Sequence, residues 1–186
     1  MVDGDERDDA ELARRAAAGC VASFASLATR YQVRIIHYVR QVIGSSGGDA
    51  DDLAQEAFVR GWQSIARYDD RWAFSTWLFT IARRTCLNHV RATRRRRLRE
   101  TVSVAASAPS ADPCATAVIV ERAGRLWEIA AATLSERQFT AVWLRYGEAQ
   151  SLAEIATVLA TSESSVKVLL FRARRRLAPQ VRDLVD

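Results

Sequence analysis

Apolar residues recur every three to four positions along most of the chain, and strict alternation is nearly absent. That pattern predicts helices and no sheet. Phe24, Leu27, Ala28, Tyr31, Ile35, Tyr38, Val39 and Val42 fall on one stripe and predict a long amphipathic helix, stopped by the run Gly44-Ser45-Ser46-Gly47-Gly48. Asp49 is placed to cap the next helix, with Asp51 and Asp52 in its first turn, where the helix dipole favours negative charge. Its expected inner face is Ala54, Ala57, Phe58, Gly61, Trp62 and Ile65, and its outer face shows Asp52, Gln55, Glu56 and Arg60. A polar and aromatic loop spans Arg67 to Phe74. Ser75 or Thr76 then opens a helix expected to bury Leu78, Ile81, Ala82, Cys86 and Val90 and to expose Arg83, Arg84, Asn88 and Arg91.

Periodicity fails at residues 100–116, where small residues, Pro109 and Pro113 offer no packing face and predict a flexible linker. The expected fold is therefore all-α, with two small helical domains: an acidic segment and short helix at 1–20, a first domain at 21–99, and a second at 117–186. In the second domain Leu126, Ile129 and Ala130 predict one inward face, and Phe139, Val142, Trp143 and Tyr146 another. Ser135 with Gln138, and Ser151 with Glu154, have the spacing of capping boxes at helix starts. The second box opens a short helix burying Leu152, Ile155, Ala156 and Leu159. A turn at Ala160-Thr161-Ser162 leads to a last helix with Val166, Leu169, Leu170, Ala173 and Leu177 on one side.

Charge adds a partner class to this outline. The net charge is +5, which suits a polyanion. Acidic residues gather at Asp3 to Glu11, and basic ones at Arg91 to Arg99 and again from Lys167 through Arg176. Lys167 is the only lysine among 27 basic residues, a bias that codon usage explains without function. Three separated cysteines, Cys20, Cys86 and Cys114, form no CxxC pair, so neither a zinc site nor a disulfide framework is expected. No signal peptide or membrane span is visible, and a cytoplasmic protein without direct membrane insertion is expected.

The short helix, three-residue turn and longer basic helix make a helix-turn-helix, whose second helix enters the major groove with its early residues toward base edges. Those positions are Glu163, Ser164, Ser165, Lys167 and Val168, followed by Phe171 and Arg172. Arg175, between Arg174 and Arg176, lies where phosphate contact is expected, which adds affinity more than sequence information. Ala160 replaces the glycine common in this turn, which is accommodated if the turn avoids positive φ.

Two stretches of the first domain carry a resemblance. Asp49-Ala50-Asp51-Asp52-Leu53-Ala54-Gln55-Glu56-Ala57-Phe58-Val59-Arg60-Gly61-Trp62 and Phe74-Ser75-Thr76-Trp77-Leu78-Phe79-Thr80-Ile81-Ala82-Arg83 resemble region 2 of bacterial sigma factors. Leu134-Ser135-Glu136-Arg137, Glu154-Ile155-Ala156, Ser165-Val166-Lys167 and Arg172-Ala173-Arg174 resemble region 4. Their order and spacing, over about residues 20 to 180, are similar to the compact extracytoplasmic-function (ECF) subgroup of the sigma-70 family. The resemblance implies a dissociable subunit of RNA polymerase that melts the −10 promoter element with region 2 and reads the −35 element with region 4. It implies core-polymerase binding by Asp49, Asp51, Asp52, Gln55, Glu56 and Arg60. It implies −10 contacts from Arg67, Tyr68, Trp72, Phe74, Ser75, Thr76 and Trp77 around an extruded base, with Arg83, Arg84, Asn88 and Arg91 along the strand. Arg84 stands where many relatives have Asn. The −35 contacts would be Glu163, Ser164, Ser165, Lys167, Val168, Phe171, Arg172 and Arg175. Relatives are commonly restrained by an anti-sigma factor, often membrane-anchored, so such a partner is expected.

The residues fit those roles physically. Aromatic rings and hydrogen-bonding side chains can hold an unstacked base, and exposed carboxylates suit a basic partner surface. The acidic residues are also favourable simply as first-turn carboxylates. No catalytic residue, metal or cofactor is expected, because carboxylates on one short helix lack the convergent ligands that magnesium requires. A stand-alone helix-turn-helix regulator is the alternative, and it would not need the first-domain features.

Overall fold

The computed structural model describes residues 8–44, 50–99 and 117–182, with backbone alone at 97–99, 117–123 and 182. The described elements are helical: α1 (Asp9–Ala17), α2 (Val21–Ile43), α3 (Ala50–Ser64), a 3-10 turn (Ile65–Arg67), α4 (Phe74–Arg99), α5 (Ala117–Thr133), α6 (Glu136–Val142), a π turn (Trp143–Gly147), α7 (Leu152–Leu159) and α8 (Glu163–Arg182). Asp49, expected as a cap, and the linker at 100–116 lie outside the described residues.

Helices α1 to α4 form the first bundle. The predicted stripe of α2 buries Phe24, Leu27, Tyr31, Ile35, Tyr38 and Val39 against Leu12, Ala13 and Ala16 of α1, Leu53, Ala54 and Ala57 of α3, and Phe74, Leu78, Phe79, Ala82 and Cys86 of α4. Gly61 lets α3 approach closely, since a Cβ there would sit 3.3 Å from Phe24 Cζ and 3.7 Å from the Trp77 ring. The α4 face differs from expectation at its end. Val90 is exposed because α4 runs on past the helices that cover its first half, whereas Phe79, Thr76 and Thr85 are buried.

Helices α5 to α8 form the second bundle. Both capping boxes are present: Gln138 N donates to Ser135 Oγ at 3.4 Å and Glu154 N to Ser151 Oγ at 3.2 Å, with the reciprocal side-chain bonds in place. Two inward assignments are corrected. Leu126 is exposed because its neighbour Trp127 takes the inward place, with ring centroids 4.6 Å from Trp143 and 6.2 Å from Phe139. Tyr146 is exposed because the π turn Trp143–Gly147 widens the helical period and rotates it off the stripe. Contrary to the expected turn, Ala160 has a left-handed φ of 49° and ψ of 58°, so the turn does not avoid positive φ.

The two bundles share one continuous core. Tyr38, fully buried, meets Phe79 of its own bundle (5.3 Å between ring centroids) and Phe139 (6.5 Å) and Trp143 (6.0 Å) of the other.

Candidate functional site

The first candidate surface is the groove between α2 and α3, of about 580 Å³. Its floor is apolar (Ala28, Ile36, Ala54 and Phe58) and its rim polar and acidic (Thr29, Gln32, Asp51, Asp52 and Gln55). Packing explains the arrangement: α3 turns Leu53, Ala54 and Ala57 inward, which leaves Asp51, Asp52 and Gln55 facing solvent one step round the helix. Asp51 lies 3.5 Å from Arg40, both well exposed, and Glu56 pairs with Arg60 one turn on at 2.6 Å. Exposed pairs of this kind add little stability, so these carboxylates remain available to a partner.

The second surface is the loop before α4 and the outer side of α4. The loop is shaped by its own side chains. Tyr68 hydroxyl donates to the Trp72 carbonyl at 2.6 Å, and Arg71 donates to Asp69 from its backbone N at 3.1 Å and from its guanidinium. Those bonds hold the Asp69 carboxyl below the usual carboxylate range. Arg67 is exposed, and Trp72, Ser75 and Trp77 are half-buried, within reach of a ligand. Phe74 is 1% exposed, ringed by Tyr31 (5.4 Å), Trp77 (5.5 Å), Tyr68 (6.2 Å) and Phe24 (6.4 Å). It is a core residue in this arrangement, since the first turn of α4 points it into the bundle. Arg84, Asn88 and Arg91 are exposed in line along α4.

Thr76 and Arg83, both expected as −10 contacts, are covered by the second bundle. Thr76 is fully buried and its hydroxyl donates to Glu154 Oε1 at 3.1 Å. Arg83 Nε donates to Glu136 Oε1 at 2.7 Å and Nη2 to Oε2 at 3.0 Å. Residues that sequence reasoning missed complete this seam. Tyr38 and Thr140 hydroxyls lie 3.0 Å apart, and Arg34 pairs with Glu148, whose side chain is 2% exposed. Burial opposes the Arg34 charge, but the Glu148 bond and charge outweigh it and raise its pKa. Burial acts upward on the Glu154 carboxyl too, yet bonds from Ser151 and Thr76 hold it below its ordinary value. Local periodicity signals none of these pairings: Glu136 and Glu154 read simply as helix-start acids.

The third surface is α8. Val166, Leu170 and Ala173 anchor it, and Arg176 Nη1 donates to Gln138 Oε1 at 3.4 Å. Ser165 is partly consumed in the cap, with its N donating to Ser162 Oγ at 3.2 Å and its hydroxyl 3.0 Å from that of Ser162. Glu163, Ser164, Lys167, Val168, Phe171, Arg172 and Arg175 are all exposed, with the Arg175 guanidinium 5.9 Å from the Phe171 ring centre. Among the described residues no three His, Cys, Asp or Glu side chains gather as metal ligands, and no helix is long and apolar enough to cross a membrane.

A helical bundle with an acidic groove and aromatic loop, followed by a basic helix-turn-helix, defines a two-domain DNA-binding transcription factor. The sequence comparisons specify it further. Residues 27–96 match Sigma-70 region 2, and residues 130–177 match Sigma-70, region 4. The RNA polymerase sigma-H factor of Pseudomonas aeruginosa is 30% identical over 97% of both chains. The ECF RNA polymerase sigma factor BldN of Streptomyces coelicolor is 30% identical over 95% of this chain and 67% of its own. A probable RNA polymerase sigma factor RfaY of Xanthomonas campestris is 31% identical over 86% of this chain, which spans only 40% of that relative. Among solved structures, the sigma factor RpoE in complex with the anti-sigma factor NepR from Bartonella quintana superposes with a TM-score of 0.72 at 18% identity, covering 87% of this chain and 98% of that one. CnrH in complex with the cytosolic domain of CnrY gives 0.67 at 23% identity, covering 94% and 97%. This chain belongs to the sigma-70 family of RNA polymerase sigma factors, in its extracytoplasmic-function subgroup.

Proposed function

We propose that the chain binds core RNA polymerase through the α2–α3 groove and directs it to promoters whose −10 element is held by the α4 region and whose −35 element is read by α8. The observation that carries this reading is the combination, in one chain, of the acidic-rimmed groove, the self-braced aromatic loop and the exposed basic face of α8. A stand-alone regulator would need only the last. Asp51, Asp52 and Gln55 on the groove rim, with Glu56 and Arg60 beside it on α3, are the residues available to the polymerase. Arg67, Trp72, Ser75 and Trp77 are placed for an unstacked base, and Arg84, Asn88 and Arg91 for the strand backbone. Lys167, Val168, Phe171 and Arg172 face the duplex, with Arg175 toward phosphate.

In this reading the chain catalyses nothing and the polymerase supplies the chemistry, which places it in the cytoplasm with its partner enzyme. The two regions extend over 21–99 and 117–186. An anti-sigma factor is a natural third partner, as for the sigma factors solved in such complexes. The test is reconstitution: core polymerase with the purified chain on a library of genomic fragments. Specific initiation dependent on the chain is expected, and absence of both polymerase binding and specific transcripts would overturn the reading.

A further inference from the structure

We propose that the acidic starts of α6 and α7 act as an internal stand-in for the −10 DNA strand, holding the free chain closed with Thr76 and Arg83 of its strand-binding face already occupied. The proposal rests on the promoter-binding reading above and adds a regulation of that same face. Thr76 and Arg83 lie two turns apart on one side of α4, about 10.5 Å along its axis. Each is engaged by a carboxylate of the second bundle, Glu154 and Glu136. The Arg83–Glu136 contact is a two-point fork, the geometry by which a guanidinium also takes a phosphate. At 12% and 27% exposure, the pair excludes any other anion from Arg83 while it lasts.

Two further features say that this closure is a state and not a permanent union. Beside its shared aromatic core, the seam carries polar contacts that can be exchanged for DNA or water, namely Tyr38–Thr140 and Arg34–Glu148. Trp143, whose ring meets Tyr38 across the seam, keeps its buried Nε1 without a hydrogen-bond partner, a cost that opening relieves. The exposed face of α8 is untouched by the seam. The closed chain therefore masks the Thr76 and Arg83 part of its −10 reader and leaves its −35 reader free, and engagement with the polymerase must separate the bundles to complete the two-point grip.

The experiment uses the full chain in three forms: wild type, E136R and the swap R83E/E136R. Small-angle X-ray scattering reports closure, and fluorescence anisotropy reports binding of a random-sequence single-stranded DNA 12-mer. E136R places two cations together and is expected to enlarge the radius of gyration and to tighten strand binding by about fivefold, the lower end of ordinary coupling. The swap restores the ion pair with reversed charges and is expected to return the wild-type radius. Circular dichroism of each form verifies that the helices persist. An unchanged radius in E136R, a swap that stays as open as E136R, or equal strand binding by wild type and E136R overturns the proposal. Transcription by wild type with core polymerase separates the two levels: initiation with no effect of E136R on radius or strand binding refutes closure alone, whereas no initiation refutes the promoter reading beneath it.

Discussion

Tyr38 of α2 and Thr140 of α6 join their hydroxyls at 3.0 Å in a fully buried position where the two bundles meet. Burial pushes the Tyr38 hydroxyl far above its usual pKa, so it stays protonated and able to hydrogen-bond. Tyr38→Phe removes this bond while keeping the ring contacts, and is expected to cost about 1 kcal/mol. Tyr38→Ala removes the ring as well and is expected to split a single calorimetric unfolding transition into two, because the shared core is what couples the bundles. A single transition retained in Tyr38→Ala would show that they unfold together for another reason.

Phe74 and Trp72 lie two residues apart and are expected to behave oppositely. Phe74→Ala opens a cavity among Phe24, Tyr31, Tyr68 and Trp77 and is expected to lower stability by about 3–5 kcal/mol without any DNA present. Trp72→Ala, at the half-exposed loop, is expected to change stability by less than about 1 kcal/mol and to weaken −10 strand binding. Urea unfolding and strand titration of the two variants check the contrast.

Ala160 carries a left-handed backbone at the end of α7. Glycine takes that conformation without the Cβ penalty, so Ala160→Gly is expected to stabilise the second bundle by roughly 1 kcal/mol. A loss of stability on chemical denaturation would contradict the assigned geometry.

On α8, Arg175→Ala is expected to weaken duplex binding evenly across sequences and to flatten the salt dependence. Lys167→Ala and Arg172→Ala are expected to change which −35 sequences are preferred. Binding of a randomised duplex pool at two salt concentrations, followed by sequencing, distinguishes the classes; the same sequence-blind loss in all three variants contradicts the division.

The described cysteines differ in reactivity. Burial pushes the Cys86 thiol up to about 12, so at pH 8 it is protonated as well as inaccessible. Hydrogen bonds from Ser23 lower the Cys20 thiol, increasing its thiolate fraction at the same pH. In a Cys114→Ser background, native labelling is expected at Cys20 within the time that Cys86 stays intact, with mass spectrometry of peptides as the readout. Comparable labelling of both would contradict the burial of Cys86.

Most of the local structure was legible from residue order. The α2 stripe from Phe24 to Val39, both capping boxes and the buried row Val166, Leu170 and Ala173 follow from periodicity and helix-end chemistry, which act over a few residues. Tyr146 and Leu126 escaped because a π turn and a competing neighbour, Trp127, shift the inward face by one position, and periodicity has no means to register either. Phe74 and Trp72 look alike as loop aromatics; only the bundle around them makes one a core residue and leaves the other at the surface.

The sequence by itself determined the all-helical pattern, the helix starts and the family, since propensity, capping and ordered motifs are encoded within short stretches. The tertiary structure alone decided that Thr76 and Arg83 face Glu154 and Glu136, that Tyr38 serves two bundles, and that Glu148 is buried beside Arg34. Those pairings join residues 53 to 114 positions apart. Contacts over such separations depend on how whole helices pack, and an isolated carboxylate at a helix start carries no mark of the arginine it will meet.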